Sequence, residues 1–106
     1  MLYDGLVHFL TQARDGLASG DLRAKRAGIS GALGAISELQ NTLDLEKGGA
    51  MAVRLQALYA YIGSRIIESN MNRELAGLEE ALRLVLPLRD AWQDIAASVP
   101  PVKASA

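Results

Sequence analysis

The sequence of 106 residues contains no cysteine and few aromatic residues, which make up 5% of it. The absence of cysteine excludes disulfides and thiolate metal sites and fits a reducing compartment. The 11 basic and 12 acidic side chains nearly cancel. Because a nucleic-acid-binding protein carries a concentrated positive face, we expect no such partner. No hydrophobic run approaches the roughly 18 residues that a membrane-spanning helix needs, so we expect no membrane insertion.

The sequence also lacks residue patterns that could support catalysis. Its single histidine, His8, falls on the polar side of the first predicted helix, away from the leucines. A carboxylate-bridged di-metal bundle requires paired Glu-x-x-His motifs, and the sequence has none. It also has no P-loop, no dinucleotide fingerprint and no nucleophile–histidine pair. We therefore predict that the protein is not an enzyme and needs no cofactor, metal ion or nucleotide.

Hydrophobic residues account for 50% of the sequence. They recur every three or four positions in four stretches, a spacing that is typical of amphipathic helices. The pattern predicts helices over residues 2–18, 22–43, 50–69 and 73–97. Asp21 is a suitable N-cap for the second helix and Asn72 for the fourth. Residues 44–49 are expected to form a turn, and the tail over residues 99–106 is expected to be flexible.

These connections are so short that neighbouring helices have little choice but to run antiparallel. The expected fold is all-α, with a single domain over residues 1–98 that forms an up-down-up-down four-helix bundle. The first helix begins without a cap ahead of it, so we expect the chain to be truncated at its N-terminus. Pro87 removes one backbone hydrogen bond within the fourth helix and is expected to kink or split it.

The fourth predicted helix has more hydrophobic surface than one bundle core requires. Its core-facing side carries Leu75, Leu78, Leu82, Val85, Leu86 and Trp92. A helix at the edge of a small bundle needs an apolar stripe only somewhat wider than about 100°, whereas Leu84, Leu88, Ala91 and Ile95 extend this one to roughly 220°. The surplus predicts a binding groove for another chain, formed by Leu84, Leu88 and Ile95.

A weaker candidate surface lies on the third helix. Its predicted core stripe carries Met51, Leu55, Leu58, Tyr59, Ile62 and Ile66. Tyr61 lies about 90° from the centre of that stripe. With Val53, Ala57 and Ala60 it forms a second apolar strip. Tyr61 is either a boundary residue without a partner or an interface residue, since tyrosine combines apolar area with a polar tip.

The second helix carries a strip of small residues on the side opposite Leu22 and Leu33. Its predicted core stripe carries Leu22, Ile29, Ala32, Leu33, Ile36, Leu39 and Leu43. The small residues Ala24, Gly28, Gly31 and Ala35 fall together on the helical wheel. Glycine weakens a helix by about 1 kcal/mol relative to alanine. The strip therefore indicates either a weak surface helix or a smooth face that a partner helix can approach, with Gly31 and Ala35 as candidate contacts.

An ordered series of short motifs spans nearly the whole chain. Its members are Leu2-Tyr3-Asp4-Gly5, Asn41-Thr42-Leu43-Asp44 with Glu46 and Gly48-Gly49, Leu58-Tyr59-Ala60-Tyr61 ahead of Asn70, and Ala91-Trp92. In this order and spacing the motifs resemble the FliS family of flagellin-specific export chaperones. The resemblance extends from Leu2 to about Trp92. A stretch that precedes the first motif in the family is absent here.

The resemblance implies an antiparallel helical bundle in the bacterial cytosol that binds the C-terminal segment of flagellin. It implies that the protein prevents premature polymerisation of flagellin and assists its export through the flagellar type III apparatus. The bound segment would become helical and lie in apolar grooves. Further partners suggested by the family are the export gate and other flagellar regulators. The alternative is a structural or regulatory adaptor that self-associates through the extra stripe of the fourth helix.

Overall fold

The computed structural model describes the backbone of residues 2–98 and the side chains of residues 2–94. Within this range the chain forms the helices α1 (Leu2–Ser19), α2 (Leu22–Thr42), α3 (Leu45–Asn72) and α4 (Ala76–Ser98), and no strand. Both α1 and α3 contact α2 and α4, which closes the helices into a bundle around one core. The predicted all-α bundle is confirmed. The tail over residues 99–106, expected to be flexible, lies outside the described residues.

The first two helix connections depend on aspartate caps. The Asp21 carboxylate accepts a hydrogen bond from the Ala24 backbone N–H at 3.1 Å, so the predicted N-cap of α2 is confirmed. Asp44 caps α3 in the same way by accepting from the Lys47 N–H at 3.0 Å. Because Asp44 caps a turn of helix, the turn predicted over residues 44–49 is mostly helical and is interrupted only at Gly49, where φ is +55°. This left-handed conformation suits glycine.

The start of α4 differs from the prediction that Asn72 caps it. The third helix continues to Asn72 and is followed by its C-cap Arg73, which adopts a left-handed conformation with φ of 56°. The fourth helix begins at Ala76, and its Leu78 N–H donates to the Ser69 hydroxyl of α3 at 2.9 Å. A buried serine of the preceding helix therefore accepts a hydrogen bond that a local cap would otherwise accept.

The fourth helix continues through Pro87, so it is not split there. Proline cannot donate a hydrogen bond to the carbonyl four residues earlier, which belongs to Arg83. Both residues are exposed, and water can reach that carbonyl. The exposed position explains how α4 accommodates the proline.

The core consists mainly of the residues that the helical periodicity predicts. Its buried members are Leu6, Leu10, Ala13, Ile29, Ala32, Ile36, Leu39, Tyr59, Ile62, Ile66, Leu78, Ala81, Leu82 and Val85. Three predicted core residues are instead exposed: Leu22 by 52%, Met51 by 62% and Trp92 by 47%. Leu22 is the first residue of α2, and Met51 follows the interruption of α3 at Gly49.

The small-residue strip of α2 packs against α1 of the same chain. A Cβ atom at Gly28 would lie 2.6 Å from the Phe9 carbonyl oxygen and 2.8 Å from Ala13 Cα, which is too close for atoms not bonded to each other. On the opposite helix, a Cβ at Gly16 would lie 2.5 Å from the Lys25 backbone nitrogen. The two backbones therefore touch through glycine. The helix that approaches this strip closely at Gly28 is α1 of the same chain, so α2 is not merely a weak surface helix there. Contact of Gly31 and Ala35 with a partner stays a prediction.

Candidate partner-binding surfaces

Leu84 and Leu88 lie on the flank of α4 that faces α3. The flank is identified by Gly77, where a Cβ atom would collide with Ser69 and with the Arg65 carbonyl of α3. Leu84 follows Gly77 by two helical turns and Leu88 by three, which places all three residues on one side of α4. Both leucines are half-buried, and Leu84 packs against the core. Leu84 and Leu88 are therefore neither sealed inside the bundle nor fully exposed.

Tyr61 is fixed to α4 by a polar cluster. Its hydroxyl donates to Glu80 Oε2 at 2.7 Å, while Arg65 Nε donates to Glu80 Oε1 at 2.5 Å. Arg65 also pairs with Glu68 at 2.8 Å. The hydrogen bond from Tyr61 and the neighbouring guanidinium lower the pKa of the Glu80 carboxyl, and the same hydrogen bond raises the pKa of the Tyr61 hydroxyl. The ring itself remains 46% exposed.

The structure thus gathers three of the predicted site residues on one side of the bundle. We call Tyr61, Leu84 and Leu88 the α3/α4 seam, because Glu80 joins Tyr61 to the α4 flank that carries both leucines. The predicted contact Ile95 falls within α4, but its side chain lies outside the described residues.

Gly31 and Ala35 lie on α2 and do not join the seam. A Cβ at Gly31 would lie 2.5 Å from Phe9 Cε1, so the Phe9 ring covers this position. Ala35 is half-buried and packs against the core. Within the small-residue strip only Gly28 is buried, and the other members remain partly exposed beside α1.

A more exposed apolar surface lies on α3, where the sequence analysis found only part of it. The outer stripe of α3, whose members are all exposed, comprises Val53, Ala57, Ala60, Ser64, Ile67 and Met71. Among the described side chains of α4, by contrast, Trp92 is the only exposed large hydrophobic residue. The sequence analysis identified the stripe as far as Ala60 and missed Ile67 and Met71. Continuing the spacing of three and four through the polar Ser64 leads to both.

The motifs that carry the family resemblance meet at one end of the bundle. A cavity of about 420 Å³ is lined by Leu2, Tyr3, Leu39, Thr42, Leu55, Tyr59 and Trp92. Across it the Tyr3 and Tyr59 hydroxyls share a hydrogen bond of 2.5 Å. Burial, followed by this bond, raises the pKa of the Tyr59 hydroxyl, which is therefore neutral at physiological pH. We call this space the end cavity. Motif spacing alone did not predict that these residues share one space.

A different groove, of about 410 Å³, separates α1 from α4. Its lining residues are Val7, Thr11, Arg14, Glu79, Leu82, Arg83 and Leu86. The charged side chains make this groove more polar than the end cavity, so it offers less apolar area to a hydrophobic client.

The described part of the chain shows no arrangement suited to a metal ion or a membrane span. No group of three or more histidine, cysteine, aspartate or glutamate side chains within it could hold a metal ion. None of the helices, as far as they are described, is both long and apolar enough to cross a bilayer. His8 is exposed on α1 and contacts the Phe9 ring edge-to-face, with 5.3 Å between the ring centroids.

Comparison with known proteins identifies the family. The family described as "Flagellar protein FliS" matches residues 1–99. Flagellar secretion chaperone FliS of Salmonella typhimurium is 36% identical over 96 residues, which cover 90% of this chain and 71% of the relative. Flagellar secretion chaperone FliSB of Pseudomonas aeruginosa is 33% identical over 95 residues, covering 90% of this chain and 75% of the relative.

A more distant relative gives the same assignment. Flagellar secretion chaperone FliS of Bacillus subtilis is 28% identical over 93 residues, covering 88% of this chain and 68% of the relative. All three relatives are named as chaperones, which are not a class of enzyme. The match spans nearly the whole described bundle and agrees with the resemblance that the motifs carry. This chain belongs to the FliS family.

Proposed function

We propose that this FliS-family chain acts as a flagellar secretion chaperone in the bacterial cytosol, with the C-terminal segment of flagellin as its client. Holding that segment would prevent premature polymerisation and keep flagellin available to the type III export apparatus. Family membership supports the chaperone role. The observation that supports a helical client is the α3/α4 seam, where apolar side chains remain half-covered after the bundle has packed.

A disordered client loses conformational entropy when it folds on a surface, so that surface must bury enough apolar area to offset the loss. The α3/α4 seam suits an amphipathic client helix, because Leu84 and Leu88 recur on one flank of α4 at the spacing of a helical turn. Tyr61 adds an exposed aromatic ring whose hydroxyl is already bonded to Glu80. A client can therefore cover the ring without leaving a buried hydroxyl unpaired.

The end cavity provides a separate anchor point for the same client. Its volume of about 420 Å³ falls in the range of small ligand sites, roughly 300–1,000 Å³. Its lining is mostly aliphatic and aromatic, and its polar groups are one threonine, the paired tyrosine hydroxyls and the Trp92 indole N–H. We propose that it accepts an apolar side chain of flagellin, while the α3/α4 seam accepts a helical stretch.

The test is a titration of a labelled peptide from the flagellin C-terminus, followed by fluorescence anisotropy. In Leu88→Asp a charged group replaces an apolar contact in the seam, and we expect affinity to fall about tenfold or more, equivalent to about 1.4 kcal/mol. Leu22→Asp is the matched control, because Leu22 is 52% exposed on α2, which does not form the seam. Circular dichroism checks that both variants remain helical.

Two outcomes would decide against parts of this proposal. Absence of binding by the unmodified chain at micromolar concentrations would remove flagellin as the client. Equal binding by Leu88→Asp and the unmodified chain would move the client groove away from the α3/α4 seam. The prediction that Ile95 extends the groove is tested in the same way with Ile95→Asp.

A further inference from the structure

The wall of the end cavity carries one hydroxyl proton that has no acceptor among the described residues. The Tyr3 and Tyr59 hydroxyls share a single hydrogen bond, in which either oxygen could be the donor. Each hydroxyl group holds one proton, and neither oxygen makes a second hydrogen bond within the described part of the chain. Whichever tyrosine accepts in the shared bond therefore keeps a proton that it can donate to a third group.

This proton lies close to the core of the bundle. Tyr59 is only 3% exposed, and Tyr3 is half-buried. A donor that is removed from water without gaining an acceptor keeps the full cost of its lost hydration. A group that fills the cavity therefore binds better if it brings an acceptor to this proton.

The other polar groups on the wall do not present the same opportunity. The Thr42 hydroxyl donates to the Leu39 carbonyl within α2 at 2.9 Å. Trp92 is 47% exposed, so its ring stays in contact with solvent. The tyrosine pair is therefore the buried donor on this wall that a bound group can satisfy.

The wall offers nothing to an anion. None of the seven described residues that line the cavity is a lysine, arginine, histidine, aspartate or glutamate. The carboxylate of Asp4, which follows Tyr3 in the chain, accepts a hydrogen bond from the Gln93 amide beside Trp92 at 3.3 Å. A negative charge thus already lies next to two of the lining residues. Because a buried carboxylate needs a cation or several donors to offset its lost hydration, the acceptor that fits this cavity is neutral.

We infer that the end cavity binds a neutral group in which an apolar body carries one acceptor oxygen, and that the Tyr3–Tyr59 pair donates to this oxygen. The aliphatic and aromatic wall holds the apolar body, and a volume of about 420 Å³ admits a ring. Ketones, amides and phenols have such an oxygen, whereas hydrocarbons do not. The inference rests on the proposed function only for the source of the group, which is then a client side chain such as tyrosine or glutamine.

Two probes of the same shape test the need for an acceptor. Acetophenone and α-methylstyrene share one skeleton, and the carbonyl oxygen of the first is replaced by a methylene group in the second. Trp92 is the only tryptophan in the sequence, so a single indole N–H resonance reports binding at the cavity in an NMR titration. The measured quantity is the preference, which is the ratio of the dissociation constants of the two probes.

We expect the double variant Tyr3→Phe/Tyr59→Phe to lose about fivefold or more of the preference for acetophenone. At least one of the two single variants should keep the preference, because one hydroxyl with a free proton remains. The double variant should bind α-methylstyrene at least as tightly as the parent, which shows that the cavity is intact. An equal preference in the parent and the double variant, or its loss in both single variants, would overturn the donor role of the pair.

A filled cavity tests where the probes bind. Leu55→Trp places a larger ring in the wall and should weaken both probes about tenfold or more in calorimetric titrations. Leu22→Trp is the matched control, because it makes the same change at an exposed leucine that does not line the cavity. Equal binding by the parent and Leu55→Trp would place the probes elsewhere and overturn the cavity as their site.

Competition with the labelled flagellin peptide identifies the source of the group. If a client side chain occupies the cavity, acetophenone should weaken peptide binding several-fold in the parent but not in Leu55→Trp. Peptide binding that acetophenone leaves unchanged would overturn the client as the occupant, and a free small molecule would then be the ligand. Absence of peptide binding would overturn the proposed function instead, while the preference between the two probes would still decide the chemistry of the cavity.

Discussion

Replacing Gly28 by alanine tests how closely α1 and α2 approach each other. In an open helix this change stabilises by about 1 kcal/mol. Here the new Cβ would lie 2.6 Å from the Phe9 carbonyl oxygen and 2.8 Å from Ala13 Cα. Both are backbone atoms, so relief requires α1 to move as a whole, and overpacking of this kind costs about 1–3 kcal/mol. We take the upper end of this overpacking cost and subtract the gain in helix propensity. The free energy of unfolding should then fall by about 2 kcal/mol.

Gly34→Ala is the matched control, because it makes the same change in the same helix. A Cβ at Gly34 meets nothing within 4 Å, so alanine should stabilise by about 1 kcal/mol. Urea unfolding followed by far-UV circular dichroism measures both variants, and the free energies of unfolding should differ by about 3 kcal/mol with opposite signs relative to the parent. If Gly28→Ala stabilised as much as Gly34→Ala, the direct backbone contact between α1 and α2 would be refuted.

Three further predictions concern hydrogen bonds of the fold and the seam. Ser69→Ala leaves the Leu78 N–H without its acceptor and should lower the free energy of unfolding by about 1–2 kcal/mol in urea. Tyr3→Phe removes the hydrogen bond to Tyr59 and should cost about 1 kcal/mol; an unchanged unfolding midpoint would contradict that bond. Hydrogen bonds in the folded state lower the pKa of the Glu80 carboxyl. The ionised carboxylate therefore stabilises the fold at neutral pH, and this stabilisation is lost as pH falls through the pKa of Glu80 in the folded state. Glu80→Gln should therefore be less stable than the parent at pH 7, and the difference should shrink in acid; a constant difference from pH 7 to pH 3 would refute the ionic role.

Periodicity predicted the faces of the helices but not what covers each face. It correctly placed Ile36, Ile62 and Val85 inside, because a residue on the apolar side of an amphipathic helix is buried in most bundle arrangements. It could not show that Gly28 contacts α1, since a helical wheel describes one helix alone. The cap that Ser69 gives to α4 was missed for the same reason, because its acceptor comes from a different helix.

The candidate site, too, could be predicted from the sequence only in part. Leu84 and Leu88 could be selected because they widened the stripe of α4 beyond what one core needs. The bond between Tyr61 and Glu80, which assembles the α3/α4 seam, joins residues on different helices and has no signature in local spacing. Ile67 was missed for another reason. Ser64 interrupts the hydrophobic pattern although its spacing keeps it in line with the stripe, and only the structure shows that its hydroxyl bonds to its own helix.

The end cavity links substitutions that are far apart along the chain. Its wall is shared by the beginning of α1, the end of α2, α3 and α4, so a larger side chain contributed by one helix reduces the space available to the other three. Changes at Leu2 and Leu55 should consequently be non-additive, and a loss caused by enlarging one should be partly recovered by trimming the other. Sequence change at this end of the bundle is therefore constrained by total volume across four segments, and not by each position separately.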